Sequence, residues 1–421
     1  TVLVPILVQS YGLPLNTQTT LFFAGFGTLF FHFCTKLKVP AFLGSSFAFL
    51  GGFSAMAELS SGMYATMEPS EKLQYACGGI VIAGLLYVIL AAIIKAVGVH
   101  RVMHFLPPVV TGPIIILIGL NLAPSTVSNA SSCWWLALVS MAIIIVANIW
   151  GRGMIKIIPI LLGVVGGYVV ALCAGMVDFS GFAGSSLLTG ENAVLGLQPF
   201  LKNFSGSVAK FDLTAILVMA PIAVASMMEH IGDVSAISAT VGENFIEDPG
   251  LHRTLIGDGV ATALAGLFGG PANTTYGENT GVLVLSRVHD PRVVRLAAIY
   301  AIILSFSPAF AHLVNTIPSA IIGGVSFILY GMISAIGVRN VVENHVDFTN
   351  SRNLIIAAVI LVCGLGFTDG LTFQIGAASI TLTSLAIAAI AGIVLNAILP
   401  GNDFYLGKSA SGDDAGSLGK Y

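Results

Sequence analysis

Long stretches of this chain contain no Asp, Glu, Lys or Arg. They lie at 73–94, 102–151, 157–177, 213–228, 259–277, 296–338, 353–368 and 370–402. A helix needs about 20 apolar residues to cross a lipid bilayer. Only 9% of the 421 residues are charged, whereas a soluble chain carries about a quarter. The sequence therefore predicts an all-α membrane protein with many spans and excludes a soluble globular enzyme.

Proline, glycine and charged residues divide the chain into fourteen predicted transmembrane segments. We place them near 1–11, 17–35, 40–57, 74–98, 106–123, 133–150, 157–177, 212–238, 254–269, 271–288, 293–315, 318–337, 353–368 and 375–399. Because the chain begins at Thr1 without Met, we expect the first segment to be truncated. The polar stretch 178–211 is a predicted extracytoplasmic linker, and 401–421 is a predicted disordered cytoplasmic tail.

The linker at 178–211 separates two sets of seven segments, so the two halves enter the membrane from opposite sides, as an inverted repeat requires. Basic residues test this count, because Lys and Arg accumulate in cytoplasmic loops. If the 36–39 loop is cytoplasmic, fourteen of the 17 basic residues lie on the cytoplasmic side. The three exceptions are Lys72, Lys202 and Lys210. One miscounted segment in mid-chain would destroy this asymmetry.

Two segments, each third in its half, are poor helices. One runs from Pro40 to Gly52 and the other from Gly269 to Gly281, and both are rich in Gly, Ser or Thr. Paired interruptions at corresponding positions of two halves indicate a transport site, since irregular backbone in a membrane must be buried or line a cavity. Short, glycine-rich packing helices are the alternative interpretation.

Four carboxylates lie within predicted segments: Glu229, Asp233, Asp258 and Glu278. A charge at the centre of a transmembrane helix costs about 2.5–3.5 kcal/mol, so each needs a partner, a proton or a function. Glu229 and Asp233 are four residues apart and share one helical face, where their repulsion favours holding a proton. We therefore predict that this pair couples transport to protons.

Glu278 lies where the helical part of the tenth segment begins, beside backbone N–H groups. Together with Glu229 it would repel an anion and accept N–H donors. The predicted ligand is thus small, neutral or cationic, with adjacent N–H and C=O groups. Phe47, in the other broken segment, offers a face on which a flat ring can stack.

The neighbouring polar residues leave alternatives open. Asp258 either faces the cytoplasmic boundary near Arg253 or bonds glycine-rich backbone, and His230 points away from Glu229 toward a neighbouring helix. We find no enzyme motif, metal-ligand spacing or cofactor signature. The net charge of −3 gives no basic patch for nucleic acid. The expected partners are a small molecule and the lipid bilayer.

The run from Glu278 through Asn279 and Gly281 to Arg287 resembles the signature of the nucleobase:cation symporter-2 family, also called the nucleobase–ascorbate transporters. The run Pro271-Ala-Asn-Thr-Thr-Tyr-Gly-Glu-Asn is most similar to its bacterial uracil permease members. The similarity keeps its order over essentially the whole chain.

The resemblance implies two inverted repeats of seven segments, with short antiparallel strands breaking segments 3 and 10. It also implies a core domain and a gate domain, each built from both halves. The core would comprise 1–105 and 212–316, and the gate 106–177 and 317–400. A homodimer in the bacterial inner membrane is a further expectation from the family.

The resemblance also implies residue roles. Glu229 and Glu278 would bind the base, with main-chain groups of Tyr276 and Gly277 and the ring of Phe47. Apart from the resemblance, Asn279, Asp258 and His230 are candidates for supporting positions beside these residues.

The implied function is a proton-coupled importer of uracil or a related oxo-pyrimidine. Asp233 stands where uracil permeases commonly have His and purine members have Asp. A xanthine or urate carrier is therefore the alternative, and an anion exchanger of the same plan is a third reading.

Overall fold

A computed structural model describes residues 1–60, 62–177, 208–368, 370–375 and 378–401. The predicted linker (178–211) lies mostly, and the predicted tail (401–421) almost entirely, outside the described residues. The first half contains α1 (Leu3–Ser10), α2 (Thr17–Cys34), β1 (Leu43–Ser45), α3 (Leu50–Glu58), α4 (Pro69–Val97), α5 (Val99–Phe105), α6 (Pro108–Asn121), α7 (Ala123–Ser131), α8 (Trp134–Ile149), α9 (Met154–Ile157) and α10 (Pro159–Cys173).

The second half, described from 208 onward, has a similar order of elements. It contains α11 (Leu213–Met219), α12 (Ile222–Val241), α13 (Leu251–Leu267), β2 (Asn273–Thr275), α14 (Glu278–Ser286), α15 (Pro291–Ser305), α16 (Pro308–Asn315), α17 (Ser319–Glu343), α18 (Ser351–Gly366), β3 (Leu371–Ile375), β4 (Ala378–Leu382) and α19 (Ser384–Ile398). Short polar residues begin several of these helices. The side chains of Asn16, Asp212, Asp290 and Asn350 each accept a bond from a first-turn backbone amide.

Within the described residues, four helical stretches are long and apolar enough to cross a membrane alone. They are Pro69–Val97, Pro108–Ser131, Leu213–Val241 and Ser319–Glu343. Four other apolar helices, α8, α10, α18 and α19, are 15 or 16 residues long. The chain is therefore a mostly helical, multi-pass membrane protein.

Two predicted segments are wrong in detail. The predicted span 293–315 is two helices, α15 and α16, which meet at an angle of 90°. The predicted helix 375–399 starts too early, because β3 and β4 form an antiparallel hairpin before α19 begins at Ser384. Proline explains the first error, since Pro308 cannot continue the preceding helix.

The packing of the two halves is reciprocal. Helix α4 packs on α13, and correspondingly α15 packs on α2. Likewise α8 packs on α10 and α17, while α18 packs on α19 and α6. Glycines permit the closest of these contacts. A β-carbon on Gly84 would collide with backbone of α13, and one on Gly25 would collide with backbone of α15.

Candidate functional site

The two broken segments meet in a short antiparallel ladder. Leu43 pairs with Thr275 and Ser45 with Asn273. The ladder extends at both ends, because Ser46 N–H donates to the Ala272 carbonyl (2.8 Å) and Tyr276 N–H donates to that of Phe42 (3.1 Å). Pairing satisfies backbone groups that have no helical partner, which is the condition for non-helical chain in a membrane.

Each strand leads into a helix, so two helix N-termini lie close to the ladder. Helix α3 begins at Leu50 and α14 begins at Glu278. The first amides of a helix lack intrahelical acceptors and carry a partial positive charge. Backbone N–H donors therefore surround this point. The Glu278 side chain lies outside the part of the chain that the structure describes.

Two aromatic rings lie beside the ladder. The rings of Phe47 and Tyr276 stack with their centroids 6.2 Å apart at 27°. The Tyr276 hydroxyl donates to the Ser45 carbonyl (2.9 Å), and its ring lies where a β-carbon on Gly44 would otherwise be. The glycine is thus required for the tyrosine to lie against β1.

A third ring reaches the same place from α17. Tyr330 is 2% exposed and packs edge-on against Phe47, at 5.7 Å between centroids and 70° between planes. Sequence reasoning missed Tyr330. It lies in the charge-free run 296–338, and no pattern in that run indicates that its ring reaches the broken segments.

Helix α12 brings its carboxylates to the start of α14. Asp233 is 2% exposed, and its carboxylate occupies the space that a β-carbon on Gly277 would need. Glu229 lies one turn earlier on the same helix face and is half-buried. Residues 44 positions apart in the sequence, Asp233 and Gly277, are therefore in contact.

His230 and Asp258 form a fully buried pair behind this face. Nδ1 of His230 lies 2.7 Å from Oδ2 of Asp258 and 2.8 Å from Oγ1 of Thr275, and Nε2 lies 3.0 Å from Oγ1 of Thr254. Asp258 therefore does not face the cytoplasmic boundary, because its side chain is fully buried beside His230. The pair connects α12, α13 and β2.

The carboxylate face of α12 is bordered by α6 and α17. A β-carbon on Gly232 would lie 3.4 Å from Ile115 Cδ1 and 3.8 Å from Asn340 Nδ2. Asn340 Nδ2 also donates to Oγ1 of Thr111 (3.0 Å), which joins α17 to α6. Glu229 and Asp233 thus lie between the ladder and these two helices.

This arrangement offers carboxylate acceptors, backbone donors and aromatic faces within one small region. Such a set can hold a flat, polar ring through N–H and C=O edges and through stacking. Asn279 lies on the first turn of α14, where its N–H donates to the Tyr276 carbonyl (3.1 Å). Among the described residues, no group of three or more His, Cys, Asp or Glu side chains could hold a metal ion.

Comparison with known proteins identifies the family. A family model described as the permease family, that of the xanthine and uracil permeases, matches residues 1–373. The chain belongs to the nucleobase:cation symporter-2 family. It is therefore a transport protein of the membrane.

Curated relatives align over almost the whole chain. A uracil permease of Bacillus caldolyticus is 40% identical over 410 residues, which is 95% of this chain and 89% of that protein. The uracil permease of Bacillus subtilis is 40% identical over 413 residues, with the same coverage. A putative pyrimidine permease, RutG of Escherichia coli K12, is 35% identical over 95% of this chain and 86% of its own length.

Solved structures of distant proteins share the fold. The transmembrane domain of the cyanobacterial bicarbonate transporter BicA is 14% identical, with a TM-score of 0.54 over 94% of this chain and 95% of that one. SLC26A9 is 11% identical, with a TM-score of 0.62 over 94% of this chain and 62% of that one. At these identities the likeness concerns the fold alone.

Proposed function

We propose that this chain imports uracil or a related oxo-pyrimidine by proton symport across a bacterial inner membrane. The contact between Asp233 and Gly277, beside the stacked rings of Phe47 and Tyr276, is the observation that carries the proposal. It brings an acidic helix face and a helix N-terminus to one point. The names of the uracil permeases that are 40% identical support the choice of substrate.

The chemistry of the base matches the groups at this point. Uracil presents ring N–H donors next to carbonyl acceptors. Glu229 and Glu278 accept the ring N–H groups, backbone N–H near Gly277 donates to a ring carbonyl, and Phe47 stacks on the ring. Tyr330 of α17 packs edge-on against Phe47 and so holds its ring in place.

Proton coupling is assigned to Asp233 together with Glu229. Their carboxylates lie one helical turn apart, and Asp233 is almost fully buried. A buried carboxylate is far more stable with a proton or a hydrogen-bonded partner than alone. Binding of a proton at this pair removes one of the two negative charges from the face that receives the base, which links the two events.

Alternating access would move a core domain against a gate domain. In this proposal the fold has fourteen segments in two inverted repeats of seven. The core comprises residues 1–105 and 212–316, and the gate comprises residues 106–177 and 317–400. The reciprocal packing of α4 on α13 and α15 on α2, and of α6 with α17 and α18, supports this division. The core carries both broken segments.

The alternatives are less well supported. A purine carrier would fit Asp233, but the relatives that are 35–40% identical carry uracil or pyrimidine in their names. An anion exchanger would share the fold of the bicarbonate transporter. The Asp233 carboxylate at the N-terminus of α14 opposes it, because an anion would be repelled where it should bind.

The deciding experiment is uptake by purified protein in proteoliposomes. Labelled uracil should accumulate when the outside is acidic and should not accumulate under a sodium gradient alone. Thymine, xanthine and urate are offered as competitors at two external pH values. If xanthine displaces uracil at lower concentration than uracil itself does, the protein is a purine carrier.

Two substitutions separate binding from coupling. Asp233→Asn should abolish uphill uptake but retain counterflow of labelled uracil, and equal loss of both would refute its coupling role. Asp347→Asn, which alters an exposed loop carboxylate, is the matched control and should behave like the wild type. Uracil binding that survives Glu278→Ala undiminished would remove Glu278 from the site.

A further inference from the structure

Two short connections join the proposed core domain to the proposed gate domain, and each contains a helix. Linker 1, residues 98–107, contains α5 and connects α4 to α6. Linker 2, residues 306–318, contains α16 and connects α15 to α17. In an inverted repeat they occupy equivalent positions and lie on opposite sides of the membrane.

The gate end of linker 1 is fixed by a buried amide. Asn396, on α19, is 1% exposed and donates from Nδ2 to the carbonyls of His104 (3.2 Å) and Phe105 (3.1 Å). Arg352, on α18, holds that amide in turn, because its Nη2 donates to Asn396 Oδ1 (2.8 Å) and to the Asn396 carbonyl (2.8 Å). Two gate helices thus hold the last turn of α5.

The gate end of linker 2 is fixed in the corresponding way. The hydroxyl of Tyr168, on α10, lies 2.7 Å from Oγ1 of Thr316. Three residues further on, Oγ of Ser319 lies 3.0 Å from Oγ of Ser132. Helix α10 is the last helix of the first half, and α19 is the last helix of the second. Linker 1, in the first half, is bonded to α19, and linker 2, in the second half, is bonded to α10.

The core end of each linker is instead a change of direction. Gly98 closes α4 by donating its N–H to the Ile94 carbonyl (2.9 Å) and then takes φ +97° and ψ 146°. This backbone conformation is open to glycine and strained for other residues. Gly98 is exposed, and a β-carbon there would meet nothing within 4 Å. At linker 2, α15 and α16 meet at 90° across residues 306–307.

We propose that both linkers belong mechanically to the gate domain, and that the core domain turns on hinges at Gly98 and at residues 306–307. The inference rests on the alternating access proposed above. Hydrogen bonds at the gate ends make each linker an arm of the gate, so that backbone rotation concentrates at the core ends. Helix α16 also lies against α2 of the core, so linker 1 gives the cleaner test.

The first test compares two strained glycines. Gly98→Ala should lower the initial rate of uracil uptake about tenfold. The free-energy cost of placing alanine in the backbone conformation of Gly98 corresponds to a rate change of that order. The equilibrium dissociation constant of this variant for uracil should change less than twofold, because Gly98 contacts no residue of the proposed uracil site. Gly12→Ala is the matched control, since Gly12 is also exposed, has φ +89° and has no neighbour of its β-position, but joins α1 to α2 within the core.

Uptake reduced equally by Gly98→Ala and Gly12→Ala would overturn the hinge, because strain alone would then explain the loss. Uptake unchanged by Gly98→Ala would overturn it as well. If the wild-type protein binds uracil but does not transport it, the proposed function itself is wrong. That result is obtained before any variant is compared.

The second test measures which domain linker 1 follows. Spin labels are placed on exposed residues of linker 1 (Arg101), the gate (Arg152) and the core (Glu243), after replacement of all five cysteines. Between uracil-free and uracil-saturated protein, the Arg101–Arg152 distance should stay constant while Arg101–Glu243 changes. The reverse result would assign linker 1 to the core. An unchanged Arg152–Glu243 distance would refute alternating access itself.

Discussion

Replacing His230 by Leu should destabilise the protein by about 3 kcal/mol, the lower end of the range for removing one partner of a buried ionisable pair. His230 and Asp258 are both fully buried, so the imidazole shields the carboxylate from solvent. His230 also lies within hydrogen-bonding distance of Thr275 and Thr254. Removal of the imidazole therefore weakens the packing of α12, α13 and β2 on one another.

The magnitude follows from comparing two effects. Polar contacts between membrane helices contribute about 0.6 kcal/mol each, so three lost contacts account for roughly 2 kcal/mol. A buried carboxylate that loses its main partner costs about 3–5 kcal/mol, of which uptake of a proton and the remaining backbone N–H bond at Thr275 recover a part. The second effect dominates, and the double variant His230→Leu/Asp258→Leu should lose less than the sum of the two single losses.

The assay is the free energy of unfolding, measured by denaturing titration of the purified protein in mixed micelles. His252→Leu is the matched control, since His252 is a half-exposed residue on the same helix as Asp258, and it should cost little. If the two single losses add within about 0.5 kcal/mol in the double variant, the residues do not interact and the reasoning fails.

Three further outcomes are expected. Gly277→Ala should lower uracil affinity at least tenfold in a binding assay, because its β-carbon displaces the Asp233 carboxylate. Gly84→Ala should lower the free energy of unfolding by about 1–3 kcal/mol, because α4 and α13 must separate. The Lys38 ammonium bonded to Asp248 holds the pKa of that carboxyl below its usual range. Asp248→Asn should therefore lower the melting temperature at pH 7, and the difference should vanish as the pH falls below about 4.

The sequence could predict features that depend on local chemistry. Charge-free runs predict membrane-spanning helices because the bilayer penalises every charge in the same way. Pro40 and Pro271 marked the two broken segments, since proline and glycine restrict backbone wherever they occur. In the structure, strands at Leu43–Ser45 and Asn273–Thr275 follow those prolines.

Other features required knowledge of how distant parts of the chain pack. The 90° bend before Pro308 could be suspected from the proline, but its angle is set by the helices around it. The β3–β4 hairpin was missed because its apolar residues resemble the start of a membrane helix. Tyr330 was missed because its role depends on the position of Phe47, 283 residues earlier.

The sequence by itself determined that this chain is a membrane protein, and its motifs indicated the family. Both rest on properties that each residue carries wherever it lies, such as charge, backbone restriction and motif spacing. The tertiary structure alone decided that Asp233 meets Gly277, that Asp258 pairs with His230, and that Asn396 holds linker 1. These are distances between residues remote in sequence, and only the packing of helices against one another sets them.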